Sequence, residues 1–343
     1  MTDFPVLLED VTAEWLGSVL DGTVSALRAE PVGTGQIGTC FRLHLDGSGV
    51  PATLVVKLPV PDPAARAMVA GAYRGEARFY RDLADTVGVR TPVCHFVDFD
   101  EAGDFVLLLQ DMTPARQGDQ IAGCTVAQAL DAVENLAGLH GPRWCDPDLV
   151  ANDGFLLNTA EDAALAVEFF APCVDSFLES LGPLLDPADH ELLRAVPAAL
   201  HDWLLARSER YGLVHGDYRL DNLLFPEDGG PGSVAVDWQT LSLALPARDL
   251  SYFIATSLDP AVRRAHERDL VGAYHRALGP AVTAGYSLEE CWDDYAFALL
   301  QVPLVCVFGQ VYGQSTERGD RMFAAMVTRG CAAMRDLATL DRV

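Results

Sequence analysis

Hydrophobic and polar residues alternate over much of the first third of the chain and recur at helical spacing over most of the rest. Residues 6–20 read as a short helix with Thr12 as its N-cap. A glycine-rich turn, Val32-Gly33-Thr34-Gly35-Gln36-Ile37-Gly38, runs into the alternating stretch Cys40-Phe41-Arg42-Leu43-His44-Leu45. Asp46-Gly47-Ser48-Gly49 marks a turn and residues 52–58 return, so the pattern predicts a hairpin. Helical spacing covers 64–86, and strands follow near 93–99 and 104–110. Beyond Asp111-Met112-Thr113-Pro114 the texture becomes helical, over 125–140, 161–181, 187–209, 246–258, 260–278 and 287–312. A polar turn from Pro226 to Gly232 separates two short strands. These elements predict an α+β chain with a mixed N-terminal lobe, 1–111, and a larger helical lobe, 112–343.

Composition narrows the function classes. The chain has 343 residues, half of them hydrophobic and 21% charged, which supports a sizeable core. Its formal net charge of -25 repels the phosphates of nucleic acid and argues against such a partner. No apolar run reaches the roughly 18 residues that span a bilayer, so no membrane segment is expected. The first residues lack the basic region and apolar core of a signal peptide. Eight scattered cysteines, with no Cys-x-x-Cys pair, fit free thiols in a reducing cytoplasm rather than disulfides or a zinc site.

Gly33-x-Gly35-x-x-Gly38 formally matches the dinucleotide-binding fingerprint, and an oxidoreductase using this loop is one reading. That fingerprint must open a helix, whereas an alternating, strand-like run follows Gly38. A glycine-rich hairpin loop instead lets backbone N–H groups approach phosphate oxygens. An ordinary flexible hairpin explains the segment equally well.

Lys57 interrupts the apolar strand Leu54-Val55-Val56-Lys57-Leu58, and Glu76 falls on the apolar face traced by Val69, Ala72, Phe79, Tyr80 and Leu83. A carboxylate there is costly unless paired. The economical answer is a Lys57–Glu76 ion pair, with the lysine available to nucleotide phosphates. At about 4 Å and an effective dielectric near 20, one charge pair is worth roughly 4 kcal/mol before desolvation. Taken singly, a snorkelling lysine and a solvated glutamate are the simpler readings. Residues 105–112 end a strand at the change of texture. The Gln110 carbonyl and the Met112 N–H are candidates to read a nucleotide base, although a core strand followed by a turn accounts for them too.

The most specific signal is His215-x-Asp217-x-x-x-x-Asn222, followed by Val234-Ala235-Val236-Asp237-Trp238-Gln239. Phosphoryl transfer relies on positioning and charge neutralisation. Asp217 suits the base that orients an acceptor hydroxyl and takes its proton. The Asn222 amide oxygen and the Asp237 carboxylate are hard ligands suited to magnesium. His215 reads as structural, Asp221 as a solvated loop residue and Arg219 as a surface residue, with contact to a phosphate or the acceptor as its alternative. A tight Asp/Asn-rich turn is the bland reading of the first stretch, but it leaves Asp237, Lys57 and Glu76 unexplained.

At these residues the chain resembles the aminoglycoside phosphotransferase/choline kinase-like family. The resemblance rests on His-Gly-Asp-Tyr-Arg-Leu-Asp-Asn-Leu-Leu-Phe (215–225), Val-Asp-Trp-Gln (236–239) and Ala-Arg-Asp-Leu-Ser-Tyr (247–252), and extends from about residue 30 to 330. It implies a bilobal protein-kinase-like fold and transfer of the gamma-phosphate of ATP (or GTP), with Mg2+, to a small-molecule hydroxyl. It further implies Asp217 as base, Asn222 and Asp237 as metal ligands, Lys57 as the phosphate lysine held by Glu76, and Asp249 as a buried brace of the catalytic loop. Asp-Trp-Gln and Gly118-Asp119-Gln120-x-x-Gly123-Cys124 are similar to the ecdysteroid-kinase-like branch and its bacterial relatives, and to kinase domains attached to some acyl-CoA dehydrogenases. No Ala-Pro-Glu activation segment is present, so a protein substrate is not expected. A catalytically silent nucleotide-binding relative is the alternative within the same fold.

Overall fold

A computed structural model describes residues 4–33 and 38–343 and divides them into two compact units. The first comprises residues up to Thr86, Thr91–Pro114 and Val236–Leu241. It opens with helix α1 (Ala13–Val19), where the Thr12 side chain accepts the Trp15 N–H as expected. Strands β1 (Thr23–Pro31), β2 (Thr39–Ser48) and β3 (Thr53–Leu58) follow, then helix α2 (Pro63–Arg78), β4 (Cys94–Phe99) and β5 (Phe105–Gln110). The five strands form one antiparallel sheet in the order β1-β2-β3-β5-β4.

Alternation decides which side of the sheet is filled. Leu43, Leu45, Leu54, Val56, Val106 and Leu108 point into one core with Val11 and Leu16. Lys57, on the opposite face, is left next to α2. Strand β1 escaped the pattern reading because its residues are all exposed or half-buried and present no clean apolar face. Helix α2 starts on an Asp62 cap with Pro63 in its first turn. It gives way to a π-helical turn over Phe79–Leu83, so the regular helix is shorter than the predicted 64–86. Its buried face is centred on Ala70, Tyr73, Glu76 and Ala77, with Val69 and Ala72 half-buried at the margin.

The second unit is mainly helical. In order it contains β6 (Arg116–Gln117), α3 (Val126–His140), α4 (Asp148–Ala151), α5 (Ala160–Leu181), α6 (Pro187–Leu205), β7 (Gly212–Val214), β8 (Leu223–Phe225), β9 (Val234–Ala235) and β10 (Ser242–Ala244). Helices α7 (Ala247–Ser257), α8 (Pro260–Ala277), α9 (Pro280–Thr283), α10 (Leu288–Phe297), α11 (Gln301–Tyr312) and α12 (Glu317–Asp336) complete it. Strand β7 pairs with β10, and β8 pairs with both β6 and β9. Helices α5, α6, α7, α11 and α12 contribute to a large core around Trp203, Phe177, Phe297 and Met326.

Two helix expectations, a single helix over 287–312 and none beyond it, are corrected here. The stretch Leu288–Tyr312 is, by length and composition alone, apolar enough to cross a bilayer. It is not one regular helix, since a 3-10 turn at Ala298–Leu300 divides it. Phe297, Leu299, Leu300, Val302 and Cys306 are buried in the core, which accounts for its apolarity. Helix α12, absent from the sequence prediction, is the second correction. It is 20 residues long and buries Met322, Met326, Gly330 and Ala333 on one face.

Candidate active site

The first unit assembles Lys57 with two carboxylate partners. Central strand β3 places Lys57 opposite Cys40 of β2 and Leu107 of β5. Its ammonium lies 2.6 Å from Glu76 Oε2 and 2.9 Å from Asp237 Oδ1. Lys57 and Glu76 are buried, whereas 42% of the Asp237 side chain is exposed. Burial alone would discharge the lysine. The carboxylates of Asp237 and Glu76 outweigh that and hold its pKa above the ordinary value. Burial and the Asp237 charge push the Glu76 carboxyl up, while Lys57 and a hydrogen bond with the Trp238 backbone pull it back.

Asp237 is held by its neighbours in sequence. The Trp238 indole stacks on Phe79 at 3.6 Å between centroids, and α2 meets the same segment at Gly75, where an added Cβ would sit 3.5 Å from the Gln239 carbonyl oxygen. Asp237 itself adopts φ 69°, a left-handed conformation that Asp tolerates better than most residues. Gly38, at φ 90°, lies beside Lys57; a Cβ there would come within 3.1 Å of the Leu58 carbonyl oxygen and 3.8 Å of the lysine Cε. Among the described residues, nothing lies within 4 Å of a Cβ added at Gly33, whose φ is 77°. Gly35 lies outside the described residues. The turn opens strand β2 rather than a helix, so the dinucleotide fingerprint lacks its required continuation.

At the end of β5, Gln110 pairs with Leu54 and its N–H donates to the Val93 carbonyl. Met112 follows in an irregular, half-buried position. Between them Asp111 is fixed by Arg42 at 2.8 Å and by the Thr113 hydroxyl at 2.8 Å.

The second unit holds the loop that follows β7. Strand β7 ends at Val214, and the next two backbone N–H groups, of His215 and Gly216, donate to the fully buried Asp249 carboxylate at 2.6 and 2.9 Å. His140 Nε2 lies 3.3 Å from the same carboxylate. Gly216, at φ 81°, makes the sharp turn. His215 Nδ1 accepts the Asp217 N–H at 3.3 Å, in keeping with the structural role read for it.

Asp217 is held from three sides. Tyr252 donates its hydroxyl to Oδ1 at 2.8 Å, and Arg219 Nε and Asn222 Nδ2 each donate to Oδ2 at 2.9 Å. Asn222 Nδ2 also bonds the Asp217 carbonyl at 2.9 Å, which fixes its amide so that Oδ1 remains as a donor atom for a cation. The readings of Asp221 as solvated and Arg219 as a surface residue are both corrected. Asp221 is buried and binds Arg318 at 2.9 and 3.0 Å, Arg219 at 3.1 Å and the Gln120 N–H at 3.0 Å. Burial works against its charge, but these donors bring its pKa below the usual carboxylate value. Arg219 is spent on Asp217 and Asp221.

Pattern reading missed the roles of Tyr252, Gln120 and Arg318. Tyr252 follows Asp249 by three residues, so one face of α7 carries both the brace of the loop and a donor to Asp217. Gln120 binds the Leu220 N–H through its side chain and Asp221 through its backbone. Arg318 lies on α12, which was not anticipated.

Asn222, in the second unit, and Asp237, in the first, each carry a hard oxygen of the kind magnesium takes, and magnesium is commonly held by one or two protein ligands with water and phosphate supplying the rest. Among the described residues no group of three or more His, Cys, Asp or Glu forms an all-protein metal cage.

Comparisons with known proteins bear on the family and the fold. Over 132 residues the chain is 35% identical to acyl-CoA dehydrogenase family member 10 of Mus musculus; the match takes in 35% of this chain and 12% of that protein's length. Choline kinase from Cryptosporidium parvum Iowa II has a similar fold, with TM-score 0.59, 10% identity and coverage of 93% of this chain and 92% of that one. A macrolide 2'-phosphotransferase type I gives TM-score 0.53 at 16% identity, covering 90% and 93%. The fold is therefore that of the protein-kinase-like small-molecule phosphotransferases. The model of the phosphotransferase enzyme family matches residues 28–286, and on that match the chain belongs to this family, the aminoglycoside phosphotransferase/choline kinase-like group that its catalytic-loop motif resembles.

Proposed function

We propose that this phosphotransferase is a small-molecule kinase, transferring the gamma-phosphate of ATP (or GTP) to a hydroxyl of a metabolite, antibiotic or steroid-like alcohol. The observation that carries the reading is the Asp217 constellation. A carboxylate that receives bonds from Tyr252, Arg219 and Asn222 has a fixed orientation. Such preorganisation is what a base needs to align an acceptor hydroxyl and take its proton.

Lys57 is assigned to the phosphates of the nucleotide, kept charged and aimed by Glu76. Gly33, Gly35 and Gly38 are assigned to the loop that lets backbone approach those phosphates. Gln110 and Met112 are assigned to the nucleotide base. Asn222 and Asp237 would hold Mg2+, which supplies charge neutralisation at the transferring phosphoryl group. The eight cysteines, all free thiols, favour a reducing compartment such as the cytoplasm.

A panel of alcohol-bearing compounds, screened with Mg-ATP and Mg-GTP for stimulated ADP or GDP release, tests this reading. At least one alcohol should stimulate release, and Asp217→Ala should slow that turnover by roughly 10²–10⁴-fold while nucleotide binding persists. Undiminished turnover in Asp217→Ala would remove Asp217 from the mechanism.

A further inference from the structure

A second polar feature of the helical unit takes no part in the chemistry above. Arg248, next in sequence to the bracing Asp249, is only 7% exposed. Its guanidinium packs over the Trp203 ring at 4.0 Å and donates one long bond, 3.4 Å, to the Leu204 carbonyl. Among the described residues its Nε has no acceptor, and no carboxylate forms an ion pair with it. The nearest acidic group in sequence, Asp249, is engaged by His215, Gly216 and His140. Burial lowers the Arg248 pKa to about 10, with Asp249 opposing, so the group still carries its charge at neutral pH. A buried cation with one long hydrogen bond and an aromatic face is incompletely compensated.

Beside it lies a small cavity, about 20 Å³, lined by Arg248, Arg207, Arg210, Ser208, Tyr211 and Asn158 among others. The two other arginines are already neutralised: Arg207 pairs with Asp293 and Asp294, and Arg210 with Asp294 and Glu209. Arg248 is thus the lining arginine left without an ion-pair partner among the described residues. Helix α7 begins at the same place, with Pro246 as N-cap and no side-chain cap hydrogen bond; the positive end of its dipole is offset in part by Asp249 in the first turn. The volume exceeds the roughly 10–15 Å³ needed for one water but leaves little more room.

From these observations we infer that the Arg248 cavity is a binding site for a small inorganic monoanion of halide size, with chloride the chemistry it fits. The anion supplies the missing counter-charge to the guanidinium and, through the peptide bond joining Arg248 to Asp249, steadies the brace of the catalytic loop. Phosphate or a nucleotide is too large for the space and is not the expected occupant.

The test uses the intact protein. Bromide-soaked crystals should show anomalous density against the Arg248 guanidinium. In solution at constant ionic strength, replacing gluconate by chloride should raise the melting temperature saturably by a few degrees. Arg248→Met should abolish the chloride dependence, and Arg248→Lys should weaken it. The wild-type measurements decide the matter even if the variants fold poorly. Water alone in the cavity, with equal melting temperatures in chloride and gluconate, overturns the proposal. Bromide density without a saturable shift also overturns it, as an adventitious ion only.

Discussion

The hydroxyl of Tyr252 donates a 2.8 Å hydrogen bond to Oδ1 of Asp217, while Arg219 and Asn222 occupy Oδ2. Tyr252 is fully buried on α7, one helical turn after Asp249, so the helix that braces the loop backbone also orients the side chain of the proposed base. Tyr252→Phe keeps the ring and removes only the donor. Turnover should fall about tenfold, the effect of losing roughly 1.4 kcal/mol from the transition state, with nucleotide affinity unchanged. Equal loss of nucleotide affinity and turnover would instead mark Tyr252 as merely structural.

Asp249 has a larger structural burden. It receives two backbone N–H bonds and sits against His140 in a site with no exposure. Asp249→Asn turns an amide NH2 toward one of these donors or leaves it unmet. Folding stability should drop by ~2–3 kcal/mol, measured by urea unfolding. A change below half a kcal/mol would mean that the loop is held by other contacts.

The Arg318–Asp221 pair ties α12 to the loop over residues 215–222 and predicts a pH dependence. The folded Asp221 pKa is depressed, so its contribution to stability is present above the unfolded value of about 4 and is lost as pH falls through the folded value. Arg318→Gln removes one partner of that carboxylate. The variant should therefore show a shallower loss of melting temperature below about pH 4 than the wild type. Identical acid limbs in the two proteins would rule out this linkage.

How far the sequence revealed the site depended on whether each feature left a periodic mark. Lys57 and Glu76 broke an apolar strand and an apolar helix face, and the structure brings them to 2.6 Å. Thr12 and the β2–β3 hairpin followed local turn and capping chemistry. What pattern reading lost was tertiary. Asp221 resembles any polar loop residue until Arg318, from nearly a hundred positions later, and Gln120, from a hundred earlier, close on it. Strand β1 shows no buried face to betray it, and residues 287–312 read as one helix because a 3-10 turn leaves no hydropathy signal. The Lys57–Asp237 contact likewise joins residues 180 positions apart, which no local rule connects.

Mg2+-dependent nucleotide binding by the wild type and Asp237→Asn, measured by calorimetry with ATP and GTP in magnesium and again in EDTA, bears most directly on the proposed chemistry. The account predicts binding of at least one nucleotide that needs magnesium and weakens tenfold or more in Asp237→Asn. Binding that is indifferent to both the metal and the substitution would contradict it.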